Sequence, residues 1–170
     1  MKKVEPLIFA TVIVRVLISI SILFYPLEAV FLSIVFDLLT TWPLAWTGLD
    51  KKQYHQIDKS LDLIDYLFLI IVTVNTPIAI PASILLGIRL VGHIAFYIKE
   101  DSRVFIFFPN VFYFYVLLYL LIERFAWDID INAWYVWIGL ILFKLVHEAY
   151  IHIFPLDIPF KVVRKIKNEK

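Results

Sequence analysis

The segment YHQIDKSLDLIDY, residues 54–66, sets Asp58, Asp62 and Asp65 four and three residues apart. At helical period this places three carboxylates on one stripe of one helix. Neighbouring carboxylates about 6 Å apart repel by roughly 2–3 kcal/mol at an effective dielectric of 20. Such a stripe needs a proton, a basic partner or a metal ion. The need is sharpened by an apolar run that begins at Leu61 and takes Asp62 and Asp65 with it.

Other charges are embedded in the same way: Arg15, Asp37, Arg89, Lys144 and Glu148 all interrupt apolar runs. Arg89 and His93 are four residues apart, and Lys144, Glu148 and His152 follow at intervals of four, so each set shares a helix face. His147 lies alongside. A charge at the centre of a membrane helix costs roughly 2.5–3.5 kcal/mol on insertion scales, which turns each of these groups toward protein or water.

The elements that must position them follow from hydropathy. The chain has 170 residues, of which 62% are hydrophobic and 17% aromatic, with no cysteine and a net charge of +1. This excludes a disulfide framework and argues against nucleic acid as a partner. It fits an integral membrane protein. Six spans are expected near 6–25, 27–47, 61–80, 82–98, 104–122 and 133–153, followed by a basic tail over 154–170. The expected fold is therefore all-α, a polytopic six-helix bundle in a single transmembrane domain. Pro26 and Pro81 punctuate neighbouring runs. Arg15 breaks the first run, and no small-residue cleavage site follows it, so that run reads as a span rather than a signal peptide.

Lys2, Lys3, Lys51, Lys52, Lys59, Lys99, Arg103 and the tail lysines and arginine fall on one side, and only Arg124 falls on the other. The positive-inside rule then places both termini in the cytoplasm. With that topology the embedded charges lie at mid-membrane or in its cytoplasmic half. The outer halves, such as WYVWIGLILF (134–143), carry none. A transporter needs polar lining on both sides of its midplane, so this asymmetry disfavours one.

Structural readings compete with functional ones at each position. Arg15 is a natural partner for Asp37 or Asp65, and Lys144 and Glu148 can neutralise each other along one helix. Asn75 and the Pro109–Asn110 pair can adjust kinked helices, and Ser83 and Gly87 have the spacing of a close-packing seam. HEAYIH (147–152) is not a zinc-protease helix, because its histidines are five residues apart rather than four.

Asp37, Asp58 and Asp62 have the spacing of the first, third and fourth acids in the signature of the CDP-alcohol phosphatidyltransferases, which this region resembles. Thr40 stands at the second acid, Thr41 and Tyr54 at the two glycines, and Leu44 and Ala45 at the alanine–arginine pair. The resemblance implies Mg²⁺ or Mn²⁺ on Asp37, Asp58 and Asp62, with Asp62 also able to act as the base for an attacking alcohol. It implies a CDP-linked membrane lipid as substrate. Asp65, Arg89, His93, Lys144, Glu148 and His152 would complete the substrate site, and Arg89, His93, Lys144 and Glu148 would share a cavity with Asp62. The alternative is a non-catalytic membrane protein that binds a lipid headgroup or a partner subunit, a second copy of the chain included.

Overall fold

The structure, a computed structural model, describes residues 5–47 and 51–153. Among them are six α-helices and no strand: α1 (Glu5–Ser21), α2 (Pro26–Thr47), α3 (Lys51–Thr73), α4 (Ala79–Lys99), α5 (Val111–Phe125) and α6 (Trp134–Ile153), with a 3-10 turn at Ser102–Ile106 between α4 and α5. The all-α expectation holds. The basic tail lies outside the described residues, as do the side chains of Thr41, Leu44, Ala45 and His152. The helices divide into two compact units, the first ending at Asp65 and the second beginning at Tyr66, both within α3.

In the first unit α1 and α2 form an antiparallel hairpin. Its turn is held by Tyr25 N–H donating to Ser21 O at 2.9 Å. Pro26 opens α2, where a missing N–H leaves no bond unmade. The buried faces of these helices mix polar with apolar side chains, while several large apolar ones are exposed. On α1 the buried stripe is Thr11, Arg15, Ile18 and Ser19, continued by Ile22 in the turn, while Phe9 and Leu17 are 67% and 59% exposed.

In the second unit α5 buries apolar and aromatic side chains, while α4 has a mixed buried face that includes Ala82, Leu85 and Phe96. On α4, Arg89, Gly92 and His93 are buried, and Ile80, Ile84, Ile88, Val91, Ile94 and Ile98 are exposed. The expected span over 104–122 is instead divided. Residues Ser102–Ile106 form the 3-10 turn, and α5 starts only at Val111. The cause is local. Pro109 disfavours helical geometry at Phe108 and has no N–H, and Asn110 Oδ1 then caps α5 by accepting from Tyr113 N–H at 3.3 Å. At about 22 Å, the 15 residues of α5 fall short of a 30 Å hydrocarbon core. Asn75 lies in the α3–α4 turn rather than at a kink inside a helix. Among the described residues one helix, Ala79–Lys99, is long and apolar enough to cross a membrane, and the apolar stretch Pro6–Ser21 is shorter.

The close approach on α4 occurs at Gly92, not at the expected Ser83–Gly87 seam. A Cβ at Gly92 would lie 2.5 Å from Phe108 Cβ, whereas one at Gly87 would meet nothing within 4 Å. Gly92→Ala should destabilise the protein by about 1–3 kcal/mol through overpacking against the broken segment. Gly87→Ala should be neutral or stabilising, because alanine suits a helix interior better than glycine by about 1 kcal/mol. Thermal unfolding of the two variants in detergent compares them directly. Equal midpoints would show that Phe108 yields freely.

Candidate functional site: two buried ion clusters

The α1–α2 hairpin sets its polar residues in layers. Arg15 on α1 meets Asp37 on α2, and Ser19, one turn further along α1, is level with Ser33, one turn earlier on α2. The stripe on α3 closes both layers. Arg15 Nη1 donates to Asp37 Oδ1 and Asp58 Oδ1, each at 2.9 Å, and Nη2 donates to Asp62 Oδ1 at 3.3 Å. Lys59 Nζ lies 2.7 Å from Asp58 Oδ2 and 2.9 Å from Asp62 Oδ2. In the second layer Asp65 accepts from the Ser19 and Ser33 hydroxyls.

The three aspartates of the signature therefore converge, and they converge on a guanidinium. Both oxygens of Asp58 and of Asp62 are engaged by Arg15 and Lys59. Among the described residues no group of three or more histidine, cysteine, aspartate or glutamate side chains is arranged to hold a metal ion. A divalent cation needs the carboxylate oxygens that Arg15 holds, so the residues in this arrangement do not fit one. Arg15 is the expected partner of Asp37. It is not the partner of Asp65, which two hydroxyls satisfy instead.

A cleft of about 330 Å³, mouth included, opens beside this cluster. Its α1 wall is Ile8, Thr11, Val12 and Arg15, and its α3 wall is Tyr54, Ile57, Asp58 and Leu61, each set at i, i+3, i+4 and i+7. Asp37 and Thr40 of α2 complete it. Thr40, at the place of the signature's second acid, donates to Phe36 O at 2.8 Å.

The second unit brings Arg89, His93, Lys144 and Glu148 together, all buried. Glu148 Oε1 lies 3.4 Å from Lys144 Nζ and 3.8 Å from Arg89 Nη1. The remaining contacts show what the group holds. Arg89 Nη1 donates to Phe108 O at 2.7 Å, and Asn110 N–H donates to Glu148 Oε1 at 3.2 Å. These are the backbone groups released where the chain breaks before α5. Tyr66 Oη accepts from Arg89 Nε at 3.2 Å and from Asn110 Nδ2 at 2.8 Å. The Arg89 guanidinium lies 4.1 Å from the Phe105 ring centroid, and His93 packs edge-on against Phe105 and Tyr66. Lys144 Nζ sits 3.1 Å from His147 Nδ1 and 4.4 Å from the Phe114 ring centroid. Asp62, expected in a cavity with these residues, belongs to the first unit.

No family model, curated protein or solved structure matches the chain.

Sequence reasoning overlooked five participants. Lys59 reads as part of the basic cytoplasmic flank, although its i, i+3 relation to Asp62 signals an ion pair. Ser19 and Ser33 carry only the weak signal of a small polar residue in an apolar run. Tyr66 and Phe105 carry none beyond their aromatic character.

Proposed function

We propose that the chain is a multi-span membrane protein with both termini cytoplasmic, and that its first unit binds a lipid headgroup without transferring it. Arg15 carries the second half of this reading. A group that fills the meeting point of three carboxylates occupies the place that a catalytic cation needs. The exposed apolar side chains support the first half, because large residues such as Phe9, Leu17, Ile80 and Ile98 face outward while Arg15, Arg89, Lys144, Glu148, Asp58 and Asp65 are buried. The cleft beside Arg15, apolar along Ile8, Val12, Ile57 and Leu61, suits a molecule that is part hydrocarbon and part head group.

The convergence of Asp37, Asp58 and Asp62 favours one competing reading, a phosphotransferase of the CDP-alcohol kind using Mg²⁺ or Mn²⁺. That reading requires Arg15 to withdraw. Mn²⁺ titration of the purified protein in detergent near neutral pH separates the two. The expected result is no saturable Mn²⁺ binding in wild type or in Asp62→Asn. Wild-type binding that Asp62→Asn abolishes would put the transferase reading first.

Topology has its own test. Reporter fusions at Lys170 should report the cytoplasm, and fusions within 123–132 the opposite side. A C-terminus outside the cytoplasm would overturn the arrangement.

A further inference from the structure

We infer that Asp65 is held as a neutral carboxylic acid, so that its layer with Ser19 and Ser33 is a buried proton site. The first observation is a count. Ser19 Oγ is within hydrogen-bonding distance of Asp65 Oδ1 and lies 2.8 Å from Arg15 O, and Ser33 Oγ lies 2.7 Å from Asp65 Oδ2. Three oxygen–oxygen contacts need three protons, and the two hydroxyls supply two. A peptide carbonyl and an ionised carboxylate only accept. The third proton therefore sits on Asp65 Oδ1. Asp65 then donates to Ser19, Ser19 donates to Arg15 O, and Ser33 donates to Oδ2. The Ser19–Asp65 bond thus runs opposite to the sense it has when the carboxyl is ionised, and release of the proton turns the Ser19 hydroxyl away from Arg15 O.

The second observation concerns charge. Asp65 is 4% exposed, as deeply placed as Asp58 and Glu148. Those two acids meet cations: Asp58 has Arg15 and Lys59, and Glu148 has Lys144. Among the described residues no cationic nitrogen lies within 4 Å of Asp65, whose partners are the two hydroxyls. The groups around it offer no substitute. On α1, Arg15 directs both terminal nitrogens to Asp37, Asp58 and Asp62. On α3, Asp62 is a like charge, and Lys59 pairs with Asp58 and Asp62. On α2, Ser33 faces Asp65, and Asp37 one turn away is bound to Arg15. A buried carboxylate without a counter-charge is costly enough to take up a proton instead. The stripe of α3 therefore divides: basic partners answer Asp58 and Asp62, and a proton answers Asp65. This holds whether or not the first unit binds a lipid headgroup.

The infrared difference spectrum between wild type and Asp65→Asn, taken on the full-length protein in detergent at neutral pH, reads the proton directly. The expected result is loss of one carboxylic acid C=O band in Asp65→Asn, with no loss of carboxylate intensity. Ser33→Ala removes the donor to Oδ2 and should move that band to higher wavenumber. An acid band that survives in Asp65→Asn, or a carboxylate band lost in its place, would overturn the inference. Thermal unfolding supplies a second readout. An amide offers one donor and one acceptor in the same places as the neutral acid, so Asp65→Asn should lower the midpoint less than Asp58→Asn does. Failure of Asp65→Asn to fold would count against a neutral acid. The unfolded chain releases a proton that the folded one keeps, so the wild-type midpoint should fall relative to that of Asp65→Asn as pH rises. Parallel pH profiles for the two proteins would show Asp65 ionised in the fold, and the proton site would be lost.

Discussion

Arg15→Met should leave little folded protein. The substitution keeps length and apolar bulk but removes the cation that touches Asp37, Asp58 and Asp62 together, while Lys59 still pairs with Asp58 and Asp62. Removing one partner of a buried ion pair costs about 3–5 kcal/mol, a large part of the 5–15 kcal/mol that typically holds a domain together. The expected reading is a collapse of the monodisperse peak in size-exclusion chromatography of detergent extracts. Rescue is the stronger test. Adding Asp37→Asn and Asp58→Asn leaves Lys59 against Asp62, a balanced pair, and should restore the peak. If Arg15→Met alone behaves as wild type, the cluster does not hold the three helices together.

The second large effect belongs to Arg89→Met. Arg89 is the donor to Phe108 O and stands beside Glu148, so its loss strands a carbonyl and part of a buried negative charge at once. A loss of about 3–5 kcal/mol is expected again, but with a local signature. Amide hydrogen exchange should accelerate first over residues 107–113, where the break and the α5 cap depend on Arg89 and Glu148. Glu148→Gln keeps an acceptor for Asn110 N–H and should open the same segment less. Because the two residues act on one break, the double variant should cost less than the sum of the singles. Uniform exchange acceleration across the second unit would show that Arg89 supports the whole unit rather than the break.

The sequence shows the aspartate stripe because helical period alone sets which side chains of α3 share a face. It also shows Arg15 with Asp37, since a lone cation and a nearby acid in neighbouring apolar runs have few other ways to meet their insertion cost. It conceals the division before α5. Residues 104–122 read as one apolar run, and hydropathy is blind to backbone geometry. The break follows from Pro109 and Asn110, which weigh little in such an average. The same blindness explains Arg89 and Glu148, expected in a substrate site and observed to hold a peptide carbonyl and a peptide N–H. Nothing local announces the pairing of Asp65 with Ser19 and Ser33, which lie 46 and 32 residues away. It depends on the register of the α1–α2 hairpin against α3.

That register also bears on how the chain is made. In a chain inserted as proposed, Arg15 leaves the ribosome before any of its acids. Asp37 follows 22 residues later and Asp58 43 residues later. At about 5–20 residues per second, the first delay lasts roughly 1–4 s and the second roughly 2–9 s. Through the first delay α1 is a helix of marginal length carrying an uncompensated guanidinium, a poor candidate to partition into lipid alone. In such a chain α1 is better held at the insertion machinery until α2 brings Asp37, so that the two helices leave as a hairpin.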